Sequence, residues 1–329
     1  MKILILGSGS FAGQAVFSNL ISEGYEVYGI NRSAPKDKYF WNWVNNLKCN
    51  LNDFWYEVNI NDEPEKIVDI INALKPTHII DLMGQGMVAP SWEDPKLWYS
   101  TNLSKKSYVI EGIRKLDNLE KYIRASTPEV FGSSTEAKIE SSKFNPSTPY
   151  AVSHCAIDFH LRCLGQNYGF PYSIGRFANF YGSGQQLYRV IPKAILSFRN
   201  QKKFIIDGDG KSLRSFIHSE DIVSSFKKLL FDSSDFEEYN FSSKEEISIL
   251  DLIKLISNVT KVDFDKFVQF GPERKGKDKI YRLDVNKTKR ELNWQSKIDL
   301  DEGVKEVDYW IEENLNYLSK QSWNYIHKC

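Results

Sequence analysis

Ile3-Leu4-Ile5-Leu6-Gly7-Ser8-Gly9-Ser10-Phe11-Ala12-Gly13 stands at the head of the chain. Four consecutive apolar residues suit a strand buried on both faces, and the run stops at a glycine turn. Ala12, Ala15, Val16 and Leu20 then recur at helical spacing until Glu23-Gly24 closes the pattern. Glu26-Val27-Tyr28-Gly29-Ile30 supplies a second strand within about thirty residues, the size of a strand–helix–strand crossover. Met1-Lys2 before an apolar run has the look of a leader. The run ends at Gly7, however, too soon for a signal-peptide core or a spanning helix, and it is read as buried strand.

The same rhythm continues outward. Pro64 opens a helix bearing Ile67, Ile70, Ile71 and Leu74, Lys75-Pro76 stops it, and Thr77 to Leu82 reads as a strand. A helix over roughly Thr101 to Lys115, a strand ending near Ser126-Thr127, a helix from Tyr150 to about Tyr168 and a strand from Tyr172 to Arg176 follow. Such alternation predicts an α/β fold with a doubly wound parallel sheet covered on both faces. After Gly182 the alternation loosens, through Pro192 and the turn Asp207-Gly208-Asp209-Gly210, to a last amphipathic helix near Val304 to Leu315. The expected division is a doubly wound domain over 1–180 and a smaller C-terminal lobe over 181–329, with about 213–245 returning to the first domain. The aromatic knot Tyr39-Phe40-Trp41, Trp43 and Phe54-Trp55-Tyr56 is expected in core or dimer packing.

Composition removes several function classes. The 329 residues carry 43 Lys+Arg against 43 Asp+Glu, so no global field would hold nucleic acid. With 41% hydrophobic and 26% charged residues the chain reads as soluble and globular, with no membrane partner. Cys49, Cys155, Cys163 and Cys329 show neither a C-x-x-C pair nor a metal-ligand spacing, which points to a reduced, cytoplasmic protein with no metal.

Between Gly7 and Gly13 the backbone can turn tightly, and the helix behind it offers free N–H groups to a pyrophosphate, so the turn is read as a dinucleotide site. Gly29-Ile30-Asn31-Arg32-Ser33 ends the second strand without the acid that usually meets a free ribose 2′-hydroxyl. Asn31, Arg32 and Ser33 can instead bond a phosphate there, which favours NADP over NAD; a solvated arginine that tolerates NAD is the alternative.

Ser126-Thr127-Pro128-Glu129-Val130-Phe131-Gly132 and Pro149-Tyr150-Ala151-Val152-Ser153-His154 place a hydroxyl at a strand end and a tyrosine at the next helix start. Together with the glycine turn they resemble the extended short-chain dehydrogenase/reductase family, and within it the nucleotide-sugar epimerases and dehydratases. Leu82-Met83-Gly84-Gln85, Asn102, Arg176-Phe177-Ala178-Asn179, Arg214-Ser215-Phe216-Ile217-His218 and Asp284 agree in order along nearly the whole chain.

The resemblance implies a Rossmann fold binding NAD(P)(H) tightly, a nucleoside-diphosphate sugar substrate and a homodimer built on the helices near Thr101 and Tyr150. Ala151, Cys155 and Phe159 are the expected apolar dimer positions. It also implies cofactor contacts from Gly7, Ser10, Phe11, Gly13, Asn59, Ile60, Leu82 and Gly84. Thr127 and Tyr150 fall at the catalytic hydroxyls, and Glu129 at the base that removes a C5 proton in 4,6-dehydratases. Gln85, Asn179, Val190, Arg214 and Arg274 fall at substrate positions.

Three departures stand out. Ser10 replaces a glycine, Pro128 replaces an acid, and His154 replaces the lysine that holds the nicotinamide ribose and stabilises the tyrosinate. The first functional reading is oxidation at C4 of a nucleoside-diphosphate hexose continued to 4,6-dehydration. The alternative is a 4-dehydrogenase or 4-epimerase, and a third is a non-catalytic nucleotide-sugar or dinucleotide sensor. His160 and His218 are read as structural.

Overall fold

Along β1 (Lys2–Leu6) the side chains alternate, Ile3 and Ile5 entering one core and Leu4 and Leu6 another, and all four are buried. A strand with helices on both faces needs that unbroken apolar run. Each such side chain contributes about 1.5–3 kcal/mol on leaving water. The computed structural model describes residues 1–41, 51–273 and 280–327; Trp43, Cys49, Arg274 and Cys329 lie outside the described residues.

β1 pairs in parallel with β2 (Glu26–Asn31) and with β4 (His78–Asp81). β3 (Trp55–Glu57) closes one edge, and β5 (Lys121–Ser126), β7 (Tyr172–Phe177) and β12 (Glu237–Phe241) extend the other. The seven-stranded order is β3-β2-β1-β4-β5-β7-β12, parallel at every pairing. Strand order reverses between β1 and β4, and in open sheets of this kind the crevice for ligands lies at that point, outside the strand C-termini.

α1 (Phe11–Ser22) and α7 (Ser219–Phe231) cover one face; α2 (Pro64–Leu74), α4 (Lys106–Ile113) and α5 (Pro149–Tyr168) cover the other. The single helix expected from Thr101 is longer and interrupted: α3 (Pro95–Tyr99) runs through a π-helical turn at Ser100–Lys105 into α4. One extra residue in the turn changes which side chains face inward, and Lys106 is buried just beyond it.

The second core gathers α6 (Val190–Arg199), α8 (Ile249–Thr260) and α11 (Leu300–Glu313) around Ile195, Ile253 and Val307. Four two-stranded pairs lie outside the main sheet among the described residues. β8 (Asn179–Tyr181) pairs with β11 (Phe216–His218), β9 (Phe204–Asp207) with β14 (Val268–Gly271), and β10 (Leu213–Arg214) with β13 (Ile247–Ser248). β6 (Ala137–Lys138) pairs with β15 (Arg282–Leu283). The remaining helices are α9 (Phe264–Phe267), α10 (Asn286–Leu292) and α12 (Leu315–Leu318).

Trp41 and Trp55 meet Phe17 edge-on at 6.0 and 5.8 Å, inside the core under α1. The expected dimer face needs correction. Ala151 and Cys155 point inward, Cys155 against Val130 and Phe131, because the side of α5 facing the sheet includes both. Phe159 at 49%, Val152 at 41% and Tyr108 of α4 at 48% are exposed apolar side chains on these helices. Among the described residues no helix is long and apolar enough to cross a membrane.

Candidate active site

Gly7 takes φ +79°, and a Cβ on it would stand 2.8 Å from the Leu82 carbonyl, so only glycine lets the turn approach the end of β4. A Cβ on Gly13 would fall 2.3 Å from the Gly7 oxygen. Ser10 has turned its hydroxyl into the cap of α1, accepting from the Gly13 N–H at 3.0 Å. Phe11 and Ala12 carry the next N–H groups, which the helix cannot satisfy itself. This open cradle with N–H donors fits an anionic pyrophosphate. Asn31 leans over the turn, donating to the Ser33 carbonyl at 3.0 Å, while Arg32 and Ser33 are exposed. Farther along, Asn59 donates to Asp62 at 2.6 Å and Ile60 is buried.

Leu82 to Gln85 is latched in place by Asn102. Its Oδ1 accepts from the Gln85 N–H at 2.7 Å, and its Nδ2 donates to the Gln85 carbonyl and to Ser153 Oγ, both at 3.1 Å. The latch ties the loop after β4, where Gly84 sits, to the tyrosine-bearing helix α5.

Thr127 follows β5 and caps a 3-10 turn over Pro128–Phe131. Its Oγ1 accepts from the Glu129 N–H at 3.3 Å and bonds the Tyr150 phenol. Tyr150 is the second residue of α5, whose start is set by Pro149 at the first position and by Thr148 Oγ1 accepting from Ala151 at 3.1 Å. The Tyr150 N–H donates to Ser91 Oγ at 3.2 Å. Burial, with Glu129 adding, pushes the Tyr150 phenol up to about 12, against the pull of Thr127, Arg189 and Arg124. Thr127, Glu129 and Tyr150 therefore share one site.

Behind Tyr150 lies a buried charge network that sequence reasoning missed. The His154 ring meets the Tyr150 ring at 4.5 Å between centroids, and Arg124 Nη2 stands 3.0 Å from His154 Nδ1. Burial, with Arg124 and Lys106 adding, drives the imidazole well below its ordinary pKa. Lys106 donates to both oxygens of Asp81, at 2.8 and 2.7 Å, and to the Met83 carbonyl; Tyr122 also donates to Asp81. Burial resists ionisation of Asp81, yet Lys106, Arg124 and Tyr122 hold its carboxyl below the usual range. Burial, with Arg124 adding, lowers Lys106 to about 8. Asp158 accepts from Ser126 and Arg176, and Glu238 from Arg176 and Arg162. Arg124 is an ordinary polar position of a strand in the sequence; only its partners on β4 and α5 mark it.

Of the residues expected at substrate positions, Asn179 donates through Nδ2 to the Tyr281 hydroxyl at 2.7 Å, and the Arg214 guanidinium lies 4.8 Å above the Tyr281 ring. Tyr281 immediately precedes β15, which pairs with β6 just after the Thr127–Phe131 strip. Glu129 acts electrostatically on the Tyr281 phenol as it does on that of Tyr150, raising both. Gln85 is buried and Val190 begins α6. His218 contacts Glu306 at 2.9 Å and caps α7, away from the strip. A separate cavity of about 100 Å³ behind α1, between Phe11, Trp41 and Glu306, contains none of Thr127, Glu129 and Tyr150. No group of three His, Cys, Asp or Glu among the described residues is placed to hold a metal ion.

A glycine cradle at the switch point of a parallel sheet, with a threonine just past a strand end bonded to a tyrosine at the start of the following helix, defines the extended short-chain dehydrogenase/reductase class. Residues 4–307 match the family model described as GDP-mannose 4,6 dehydratase, and the chain belongs to that family. It is 31% identical to dTDP-D-glucose 4,6-dehydratase of Mus musculus over 96% of this chain and 90% of the relative. It is 29% identical to the trifunctional UDP-glucose 4,6-dehydratase/UDP-4-keto-6-deoxy-D-glucose 3,5-epimerase/UDP-4-keto-L-rhamnose-reductase of Arabidopsis thaliana, covering 95% of this chain. The chain spans 47% of that relative, about half its length. UDP-glucose 4-epimerase of Thermotoga maritima, solved with UDP-glucose, superposes with a TM-score of 0.86 at 28% identity, covering 96% of this chain and all of that one.

Proposed function

We propose that the protein oxidises C4 of a nucleoside-diphosphate hexose and carries the product on to 4,6-dehydration. The observation that supports this most is that Glu129, on the 3-10 turn capped by Thr127, lies near enough to raise the Tyr150 phenol electrostatically while Thr127 bonds the same phenol. Residues 1–180 hold a nicotinamide dinucleotide through Gly7, Ser10, Phe11, Gly13, Asn59, Ile60, Leu82 and Gly84. Residues 181–329, apart from about 213–245, mainly hold the nucleotide sugar. When bound, the nicotinamide supplies hydride acceptance from C4 and hydride return to the sugar.

The Thr127 hydroxyl orients the Tyr150 oxygen, which takes the proton of the sugar 4-hydroxyl. A 4-ketone makes the C5 proton acidic, and Glu129 removes it. Pro128 cannot donate a proton, so Glu129 passes that proton to the departing 6-hydroxyl, which leaves as water. The balance closes when hydrogen lost from C4 returns at C6 and the proton lost from the 4-hydroxyl is matched by one delivered to C5. Asn179, Arg214 and Arg274 hold the diphosphate and nucleotide, with Gln85 and Val190 beside the sugar.

The cofactor reading leans to NADP, since the end of β2 presents Asn31, Arg32 and Ser33 and no carboxylate. The protein is a cytoplasmic homodimer in this reading, paired through Tyr108, Val152 and Phe159. A second reading, 4-epimerase or 4-dehydrogenase, is favoured by Pro128. Incubation with a panel of nucleotide hexoses and mass spectrometry of the products separates the two: loss of water supports dehydration, whereas an epimer or a two-hydrogen loss supports the second.

A further inference from the structure

An arginine guanidinium has no lone pair to offer, so in the 3.0 Å contact Arg124 donates and His154 Nδ1 accepts. The proton of the neutral imidazole therefore sits on Nε2. The same ring lies against the Tyr150 phenol at 4.5 Å, so one neutral imidazole separates the guanidinium from the phenol. We propose that Arg124 is a positioning residue of this site: it locks His154 as the Nε2–H tautomer and holds a fixed positive charge one imidazole away from the Tyr150 oxygen. This rests on Tyr150 being the proton acceptor.

Charge arithmetic explains why a histidine suits position 154. The network holds four cations, Lys106, Arg124, Arg162 and Arg176, against three carboxylates, Asp81, Asp158 and Glu238. One positive charge is already in excess. The groups around the imidazole are Arg124 from β5, Lys106 from α4 and Tyr150 from its own helix, and both cations oppose an imidazolium. A lysine at 154 would be another buried cation beside Arg124. Arg124 is itself kept in place by Asp81 at 3.8 Å and Asp158 at 4.0 Å, so its charge cannot swing away.

The first test needs no variant. Histidine nitrogen NMR of the intact protein should show His154 as the Nε2–H tautomer, without titration, from about pH 5.5 to 8. An Nδ1–H tautomer, or titration near the ordinary histidine value, overturns the proposal. The second test uses turnover of the nucleotide hexose together with the same spectra. Arg124→Lys keeps the charge and should retain the tautomer and most activity. His154→Lys should lose about 10²-fold in kcat, and Arg124→Met combined with His154→Lys should recover part of that loss. Full activity in His154→Lys alone contradicts the proposal, as does a double variant that binds dinucleotide normally yet gains nothing. Absence of turnover with every hexose would reject the proposed reaction while the tautomer still reports on Arg124.

Discussion

Asn179 donates its side-chain amide to the phenolic oxygen of Tyr281 at 2.7 Å, across 102 positions of chain. The bond joins β8, at the edge of the crevice, to the approach of β15. It also orients the face of Tyr281 beneath Arg214. Removing only the hydroxyl tests what the pair does. Tyr281→Phe should raise KM for the nucleotide sugar by about 2–10-fold, the size of one neutral hydrogen bond, and leave dinucleotide affinity unchanged. Steady-state kinetics with a separate cofactor titration checks both halves.

Tyr150→Phe should abolish C4 oxidation by a factor of about 10²–10⁴ while retaining cofactor and substrate binding, since the ring stays and the hydroxyl goes. Because burial holds the phenol at about 12, its ionised fraction grows with pH throughout the neutral range. In the unmodified protein the rate of C4 oxidation should climb from about pH 7 to 9, with no inflection near the ordinary histidine value, because His154 stays neutral. Single-turnover measurements of reduced nicotinamide across pH are the check.

Glu129→Gln separates the two reaction classes. In a dehydratase it should leave reduced nicotinamide measurable and stop water loss, because an amide cannot take the C5 proton. Unchanged product formation would transfer the assignment to an epimerase or dehydrogenase.

Lys106 and Asp81 form a buried pair, so removing one partner strands the other's charge. Lys106→Met should cost about 3–5 kcal/mol in urea unfolding, and Lys106→Met with Asp81→Asn should cost less than the two single changes added. The pH dependence has a definite sign. Lys106 sits at about 8 in the fold against 10.5 ordinarily, so between those values the unfolded chain binds more protons and this group makes stability rise with pH. Asp81, held below its ordinary value, contributes stability that is present above that value and lost as pH falls through the folded one. Urea midpoints across alkaline pH should lose the rise in Lys106→Met.

Val152→Glu should convert a dimer to a monomer without loss of helix content, because Val152 is exposed on α5 and a carboxylate there meets no internal contact. Sedimentation at micromolar concentration reads the outcome; a monomer in the unmodified protein removes the homodimer from the reading.

Much of this protein is written locally. An apolar run, a glycine turn and a helical spacing are read within a dozen residues of one another, and they specify β1, the cradle and α1. Thr148-Pro149 likewise sets the start of α5, and so the depth of Tyr150, through a cap and a first-turn proline. The charged interior was decided elsewhere. Asp81, Lys106, Arg124 and Asp158 look like solvated positions of their own strands and helices, and the cost of burying each is met by partners 18 or more residues away. The tautomer of His154, the inward turn of Ala151 and Cys155 and the arrival of Tyr281 beside Asn179 and Arg214 depend on the same long-range packing. Backbone propensity and periodicity act over a few residues, whereas the sign of a buried charge's energy depends on what the whole fold brings within reach.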